Sequence, residues 1–304
     1  MNIVFMGSPD FAIPSLEKIH ASSHAIKAVV SNIDKRRGRG SDKAPTPVKA
    51  KALELGLSVI EVEDLKSDEF VEQLKKLDVD LFVVVAFRIL PKKVLEIPKI
   101  GSVNLHASLL PKYRGAAPIH WAVMNGEEKT GCTIFFLDEQ VDTGKIIKQK
   151  EIEIGDNETT GDVYKQLMDI GSNVLLTALD EIETNSYTSL TQNDKLATPA
   201  PKIFRDDCHI DFNQPAKKVH NKIRGLSPFP TAWANLDGEK FNIYKSRLGP
   251  FANIDPGELL VRDKKLLVGC KEGTLELLEI QLPGKRKMKT EIFLKGNILE
   301  GILK

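Results

Sequence analysis

The chain has 304 residues, 41% hydrophobic and 28% charged, which is enough for about two cored domains and excludes disordered, collagenous and fibrous classes. Its 43 Lys and Arg against 42 Asp and Glu give a net charge of +1, so overall charge selects no partner. The longest apolar run, 81–87, falls far short of the ~20 residues of a membrane span, and the first residues read as a strand; neither a membrane helix nor a secretion signal is expected.

In chain order, short apolar runs alternate with helical patterns. Residues 2–6, 25–30, 57–62, 81–86 and 102–106 read as strands, while 11–20, 47–55 and 68–77 carry apolar residues at helical spacing. A continuous apolar strand such as 81–86 belongs in a parallel sheet covered on both faces. The expected fold class is therefore α/β, with an N-terminal doubly wound, mostly parallel, Rossmann-like sheet that binds ligands at the carboxyl ends of its strands. A last helix, Gly161 to about Ile182, is capped by Thr159-Thr160-Gly161-Asp162. From 183 to 205 the periodicity gives way to Thr, Ser, Asn, Lys and two stiffening prolines, Pro199 and Pro201, which reads as a connection.

Beyond it come one helix, 215–224, and short strands at 232–236, 241–244, 266–268 and 274–280, separated by Asp-Gly, Pro-Gly and Glu-Gly turns. That pattern predicts a small C-terminal OB-like β-barrel. The expected division is 1–185, a linker 186–205, and 206–304. Charge is uneven across it: residues 205–304 carry 18 basic against 13 acidic groups, and residues 1–204 carry 25 against 29. Cys132, Cys208 and Cys270 form no CxxC pair, and an odd count fits a reducing, cytoplasmic setting. No His, Cys and Asp cluster has metal-ligand spacing, and Cys208-His209 reads as packing.

Gly7-Ser-Pro-Asp10 follows the first strand but lacks the second and third glycines of a dinucleotide fingerprint. It could meet a carbonyl or phosphate at the next helix, or be a plain turn. More informative is Asn104-Leu-His-Ala-Ser-Leu-Leu-Pro-Lys-Tyr-Arg-Gly-Ala-Ala-Pro118, followed by Val141-Asp-Thr-Gly-Lys145. Two residues apart on a strand, Asn104 and His106 face the same way. An amide donor and an imidazole so placed can stabilise a developing oxyanion, and Asp142 could orient or charge the imidazole and relay protons. On spacing alone, a satisfied core histidine is the plainer reading.

The longer stretch changes that balance. Residues 104–119 with the later Asp-Thr-Gly resemble the signature of enzymes that transfer a formyl group from 10-formyltetrahydrofolate. The resemblance implies that Asn104, His106 and Asp142 are the catalytic set, that Ser108, Leu109, Leu110 and Pro111 lie beside the folate, and that Phe87 and Ile89 line its pterin pocket. Many members have a Tyr-Gly form of the 87–91 segment that is one residue longer. Within the family, three features are similar to methionyl-tRNA formyltransferases. Lys35, Arg36, Arg37, Arg39 and Lys43 resemble the basic loop set against the acceptor stem. Residues 223–233 resemble the start of their C-terminal domain, and Lys285, Arg286, Lys287 and Lys289 resemble a basic segment that follows phosphates. Short glycinamide-ribonucleotide formyltransferases would have stopped near residue 200. What the resemblance implies is a monomer without metal or membrane, with 10-formyltetrahydrofolate and initiator methionyl-tRNA as partners and formylmethionyl-tRNA for translation initiation as product. A small-amine formyltransferase and a non-catalytic tRNA- or folate-binding protein are the alternatives.

Overall fold

Only a strand covered on both faces buries every side chain in succession, and Ile3 to Met6 are fully buried. This strand is β1 (Asn2–Gly7), and it is followed by α1 (Ile13–His20), β2 (Ala25–Asn32), β3 (Lys35–Arg36), β4 (Lys43–Ala44), α2 (Pro47–Glu54) and β5 (Val59–Val62). Then come α3 (Asp68–Lys75), β6 (Leu81–Val85), α4 (Lys92–Leu95), β7 (Gly101–His106), β8 (Arg114–Gly115), α5 (Pro118–Met124), β9 (Lys129–Phe136), β10 (Ile146–Glu153) and α6 (Thr160–Glu183). The computed structural model describes residues 1–36, 43–250, 253–297 and 299–304. Helix starts follow local chemistry: Thr46 caps α2 by accepting from the Lys49 amide with Pro47 in the first turn, and Ser67 accepts from the Phe70 amide at α3.

Seven strands form one sheet in the order β10-β9-β7-β6-β1-β2-β5. The contacts β1 with β2, β1 with β6, β2 with β5 and β6 with β7 are parallel, and β9 runs antiparallel to β7. This is the mostly parallel sheet that the apolar runs predict. The strands β9 and β10 are not among the expected runs: β9 opens with Lys129, Thr130 and Gly131 although Thr130 to Phe135 are buried, and Lys and Glu interrupt β10, whose residues 149–151 are exposed. The strand order reverses between β1 and β6, so the carboxyl ends Gly7 and Val85, with His106 ending the next strand, border the crevice where such sheets bind ligands. One side of the sheet is sealed by Val4, Met6, Phe70, Leu74, Phe82 and Val84.

The remaining elements are β11 (Pro199–Ala200), α7 (Ala216–Gly225), β12 (Ala232–Leu236), β13 (Glu239–Leu248), β14 (Leu259–Arg262), β15 (Lys265–Gly269), β16 (Thr274–Gln281), β17 (Met288–Lys289) and α8 (Thr290–Phe293). The antiparallel sheet runs β12-β13-β16-β15-β14, with β17 on β16. Residues 301–304 join its two free edges: Asn235 and Lys304 exchange backbone bonds of 2.6 and 2.8 Å at β12, and the Leu259 amide bonds the Gly301 carbonyl at 2.9 Å at β14. Those bonds close the sheet into the expected OB-like barrel, around a core that includes Val219, Ile223, Phe241, Ile243, Leu275 and Leu277.

By packing, the chain forms two units. The first is Met1–Gly115, Gly131–Ile152 and Lys165–Pro199; the second is Ala116–Thr130, Glu153–Tyr164 and Ala200–Lys304. The second unit thus takes in α5 and the turn before α6. Arg224 ties that turn down, donating to the Glu158 carbonyl at 3.1 Å and the Asn221 side chain at 2.8 Å, while Thr160 Oγ1 donates to the Gly225 carbonyl. All three cysteines are free and buried, and burial pushes the thiols of Cys132 and Cys270 up to about 11 and about 12, so they stay protonated. Among the described residues no helix is long and apolar enough to cross a membrane.

Candidate active site

β7 ends in His106, which is nearly buried, two residues after Asn104 on the same strand face. The Tyr113 carbonyl oxygen lies 2.8 Å from His106 Nε2, so that nitrogen carries the proton. The other nitrogen, Nδ1, faces Asp142 Oδ2 at 3.7 Å, an ion-pair distance longer than a hydrogen bond. Phe135 stands edge-on to the imidazole, 6.4 Å between ring centroids, and fixes its plane.

Asp142 is held from another side, because the Gly115 amide donates to the same Oδ2 at 2.8 Å. Three non-glycine residues around the site have left-handed backbones: Ala86 with φ 48°, Tyr113 with φ 62° and Asp142 with φ 56°. Each such residue costs of order 1–3 kcal/mol and persists only where neighbours enforce it, a pattern typical of sites. Close approach also governs Gly7 at the end of β1, where a Cβ would come within 3.0 Å of both the Val85 carbonyl and Ala12. The Gly7-Ser-Pro-Asp10 loop is a turn knitted to β2, since Asn32 Nδ2 donates to Ser8 Oγ at 2.8 Å.

Ser108 to Pro111 form the turn after β7. Ser108 Oγ donates to the Lys112 carbonyl at 2.7 Å, and the buried Leu110 packs with Phe135 and Ile146. Thr133 and Gln149 hold this turn, Thr133 accepting from the Leu110 amide at 3.1 Å and Gln149 donating to the Leu110 carbonyl at 2.9 Å. Only Leu109 and Pro111 keep partial exposure. Past β6, Phe87 is half-buried and Ile89 is exposed. Arg88 lies with its guanidinium 5.4 Å from the Phe87 ring centre and donates to the Val62 and Glu63 carbonyls at 2.7 Å each, while its Nε is buried without a partner. The main-chain groups of Phe87 to Ile89 have no hydrogen-bond partner among the described residues.

The basic residues divide. Lys35 and Arg36 pair in register with Ala44 and Lys43, and Arg37 and Arg39 lie outside the described residues. Lys285, Arg286, Lys287 and Lys289 are all exposed. Lys287 pairs with Glu279 at 2.9 Å and Lys289 with Glu291 at 3.9 Å, whereas Lys285 and Arg286 have no carboxylate partner among the described residues. Sequence reasoning did not single out Tyr113, Arg114, Gly115 and Gln192 around Asp142. The first three sit inside the quoted motif; Gln192 carries no local signal.

Models of the formyl transferase family match this geometry's host chain in two parts, the formyl transferase domain over residues 1–179 and the formyl transferase C-terminal domain over 202–297. The chain belongs to the formyl transferase family. A methionyl-tRNA formyltransferase of Bacteroides fragilis is 41% identical over 307 residues, covering 97% of this chain and 95% of its own. One from Chlorobium luteolum is 43% identical over 303 residues, covering 97% and 96%. Among solved structures, an N-formyltransferase from Helicobacter canadensis in complex with folinic acid and dTDP-3-aminofucose has the same fold, with a TM-score of 0.68 at 23% identity over 94% of this chain and 99% of that one. Membership in this family makes the chain a transferase of formyl groups.

Proposed function

We propose that this formyl transferase moves the formyl group of 10-formyltetrahydrofolate to the α-amino group of methionine on initiator methionyl-tRNA. The observation that carries the reading is the relationship to methionyl-tRNA formyltransferases over 97% of the chain, the C-terminal barrel included. A glycinamide-type acceptor would need no such barrel.

In this reading the folate supplies a formyl carbon bonded to an arylamine nitrogen. The uncharged methionyl amine forms a bond to that carbon, the carbon's bond to the folate nitrogen breaks, and the proton lost by the amine ends on that folate nitrogen. Asn104 donates its amide hydrogen to the oxygen that gains charge, and His106 supplies positive charge beside it, exchanging the Tyr113 carbonyl for that oxygen at Nε2. Asp142, facing the imidazole, passes the proton from amine toward leaving nitrogen. Main-chain groups of Phe87 to Ile89 receive the pterin, with Leu109 and Pro111 at its side. We assign catalysis to residues 1–185, a connection to 186–205 and tRNA binding to 206–304, in line with family matches over 1–179 and 202–297. The reaction belongs in the cytoplasm, where charged tRNA is made.

The test incubates the protein with 10-formyltetrahydrofolate and charged initiator or elongator methionyl-tRNA and follows formylmethionine. Transfer to the initiator alone supports the reading. Folate binding without transfer to either tRNA overturns it in favour of a small-amine acceptor.

A further inference from the structure

Between residues 183 and 199 every side chain is exposed or half-exposed except one, Gln192, which is 8% exposed. A primary amide is an improbable anchor for an otherwise solvent-facing stretch unless its polar atoms are all used. They are. Nε2 donates to the Asp142 carbonyl at 2.9 Å and to the Gly144 carbonyl at 2.8 Å. Oε1 accepts from Arg114 Nε at 3.2 Å and Nη2 at 2.7 Å. Carbonyls only accept and a guanidinium only donates, so the amide can sit in one orientation alone.

We infer that Gln192, seated by Arg114, is a positioning residue that holds the 142–144 turn so that the Asp142 carboxylate faces His106. This rests on the proposed role of Asp142. The turn needs holding because Asp142 is left-handed, at φ 56°. Gly144 is packed so tightly that a Cβ there would overlap the Phe136 carbonyl, which leaves the turn no slack on that side. Gln192 clamps the carbonyls on both sides of Thr143. Its partner Arg114 immediately precedes Gly115, whose amide bonds the Asp142 carboxylate at 2.8 Å. One dipeptide in β8 therefore fixes both the side chain of Asp142 and the amide that fixes its backbone. Asp194 Oδ1 lies 2.8 Å from Arg114 Nη2 and completes the guanidinium's seat from the solvent side. Around this clamp the segment is stitched on by backbone bonds, Leu190 with Ile146 at 2.8 and 2.9 Å and the Arg114 amide with the Thr198 carbonyl at 2.9 Å.

The experiment compares Gln192→Ala, Gln192→Glu and Arg114→Lys with the parent and with Asp142→Asn. It measures melting temperature, kcat and KM for 10-formyltetrahydrofolate, and the titration of the His106 imidazole by NMR without substrate. Gln192→Glu keeps the size and the Arg114 pair but turns an oxygen toward two carbonyls. The expected result is a 10- to 100-fold loss of kcat in both Gln192 variants, in the range of lost supporting contacts at other sites. KM stays within about threefold and the His106 titration moves. Arg114→Lys loses less, about 3- to 10-fold, with the titration moving the same way. Folded Gln192→Ala with parental kcat and an unmoved His106 titration overturns the inference, as does a kcat loss in all three variants with the titration unmoved. The reading of Asp142 fails separately, if Asp142→Asn keeps its kcat; the His106 titration of the Gln192 variants then still decides whether the clamp holds the turn.

Discussion

The chain buries three histidines, His24, His106 and His220, and the last two look alike by exposure but differ in what their ring nitrogens meet. His220 on α7 donates from Nε2 to the Asp156 carbonyl at 3.0 Å and accepts at Nδ1 from the Ser246 hydroxyl at 2.9 Å, and no carboxylate lies within ion-pair distance of it among the described residues. His106 also has a carbonyl at Nε2, but its second nitrogen faces the Asp142 carboxylate. Two neutral partners make the His220 imidazole a neutral crosspiece; at His106 one partner is a carbonyl and the other a carboxylate. Around His106 the backbone is forced into left-handed conformations at Tyr113 and Asp142, whereas α7 around His220 is a regular helix. Burial of a histidine is thus no mark of function, and neither is a carboxylate partner by itself, since the buried His24 has Asp180 at 3.2 Å and Glu183 at 3.6 Å; at His106 the carboxylate comes together with a strand-end position.

The largest effect that would test this contrast is on turnover. His106→Ala is expected to lower kcat by about 10³-fold, the loss of an oxyanion donor with its proton chemistry, while melting temperature changes little. A variant that turned over at the parental rate would end the distinction drawn here. His220→Ala should do the reverse. It leaves the Asp156 carbonyl and Ser246 hydroxyl unpaired in a buried place, which costs about 1–3 kcal/mol of stability, read by urea unfolding, with kcat retained in the folded protein.

A smaller effect follows from pH. Burial, helped by the charge of Arg224, pushes the His220 imidazole below the usual histidine value. The unfolded chain takes up that proton near pH 6.5, the folded chain only at lower pH, so between these points the unfolded state holds more protons. Stability therefore falls as pH drops through about 6.5 and levels off below the folded value. In His220→Gln the fall between pH 7 and 5 should be shallower than in the parent; parallel curves would show that the proton is taken up elsewhere. The smallest effect concerns the exposed cations. If Arg286, which has no carboxylate partner, meets a phosphate, Arg286→Ala should reduce the slope of log affinity for tRNA against log salt by about 0.9. Lys287→Ala should reduce it less, because Glu279 already neutralises that lysine. Equal slopes in both variants would count against a phosphate at Arg286.

Some of this molecule is local in origin. Apolar-rich runs of strand length bounded by turns read as buried strands, so 2–6, 25–30 and 81–86 announce β1, β2 and β6, and Thr46, Ser67 and the Thr159 to Asp162 cap announce helix starts. The stretch from Asn104 to Pro118 with Asp142 is legible as a candidate site through its resemblance to formyl-transferring enzymes; strand alternation adds only that Asn104 and His106 share a face. By contrast, β9 and β10 are not legible: Lys, Thr and Gly open β9 although it is buried almost throughout, Lys, Gln and Glu fill β10, and pairing within the sheet decides their conformation. Three things belong to tertiary structure alone. The 3.7 Å approach of Asp142 to His106 joins residues 36 positions apart, closure of the barrel by residues 301–304 joins edges about forty to seventy positions away, and Gln192 reaches the 142–144 turn from a stretch whose composition reads only as a connection. Sequence records what each residue prefers within a few neighbours; which distant carboxylate or carbonyl it meets is fixed only when the sheet brings loops at the ends of separate strands together.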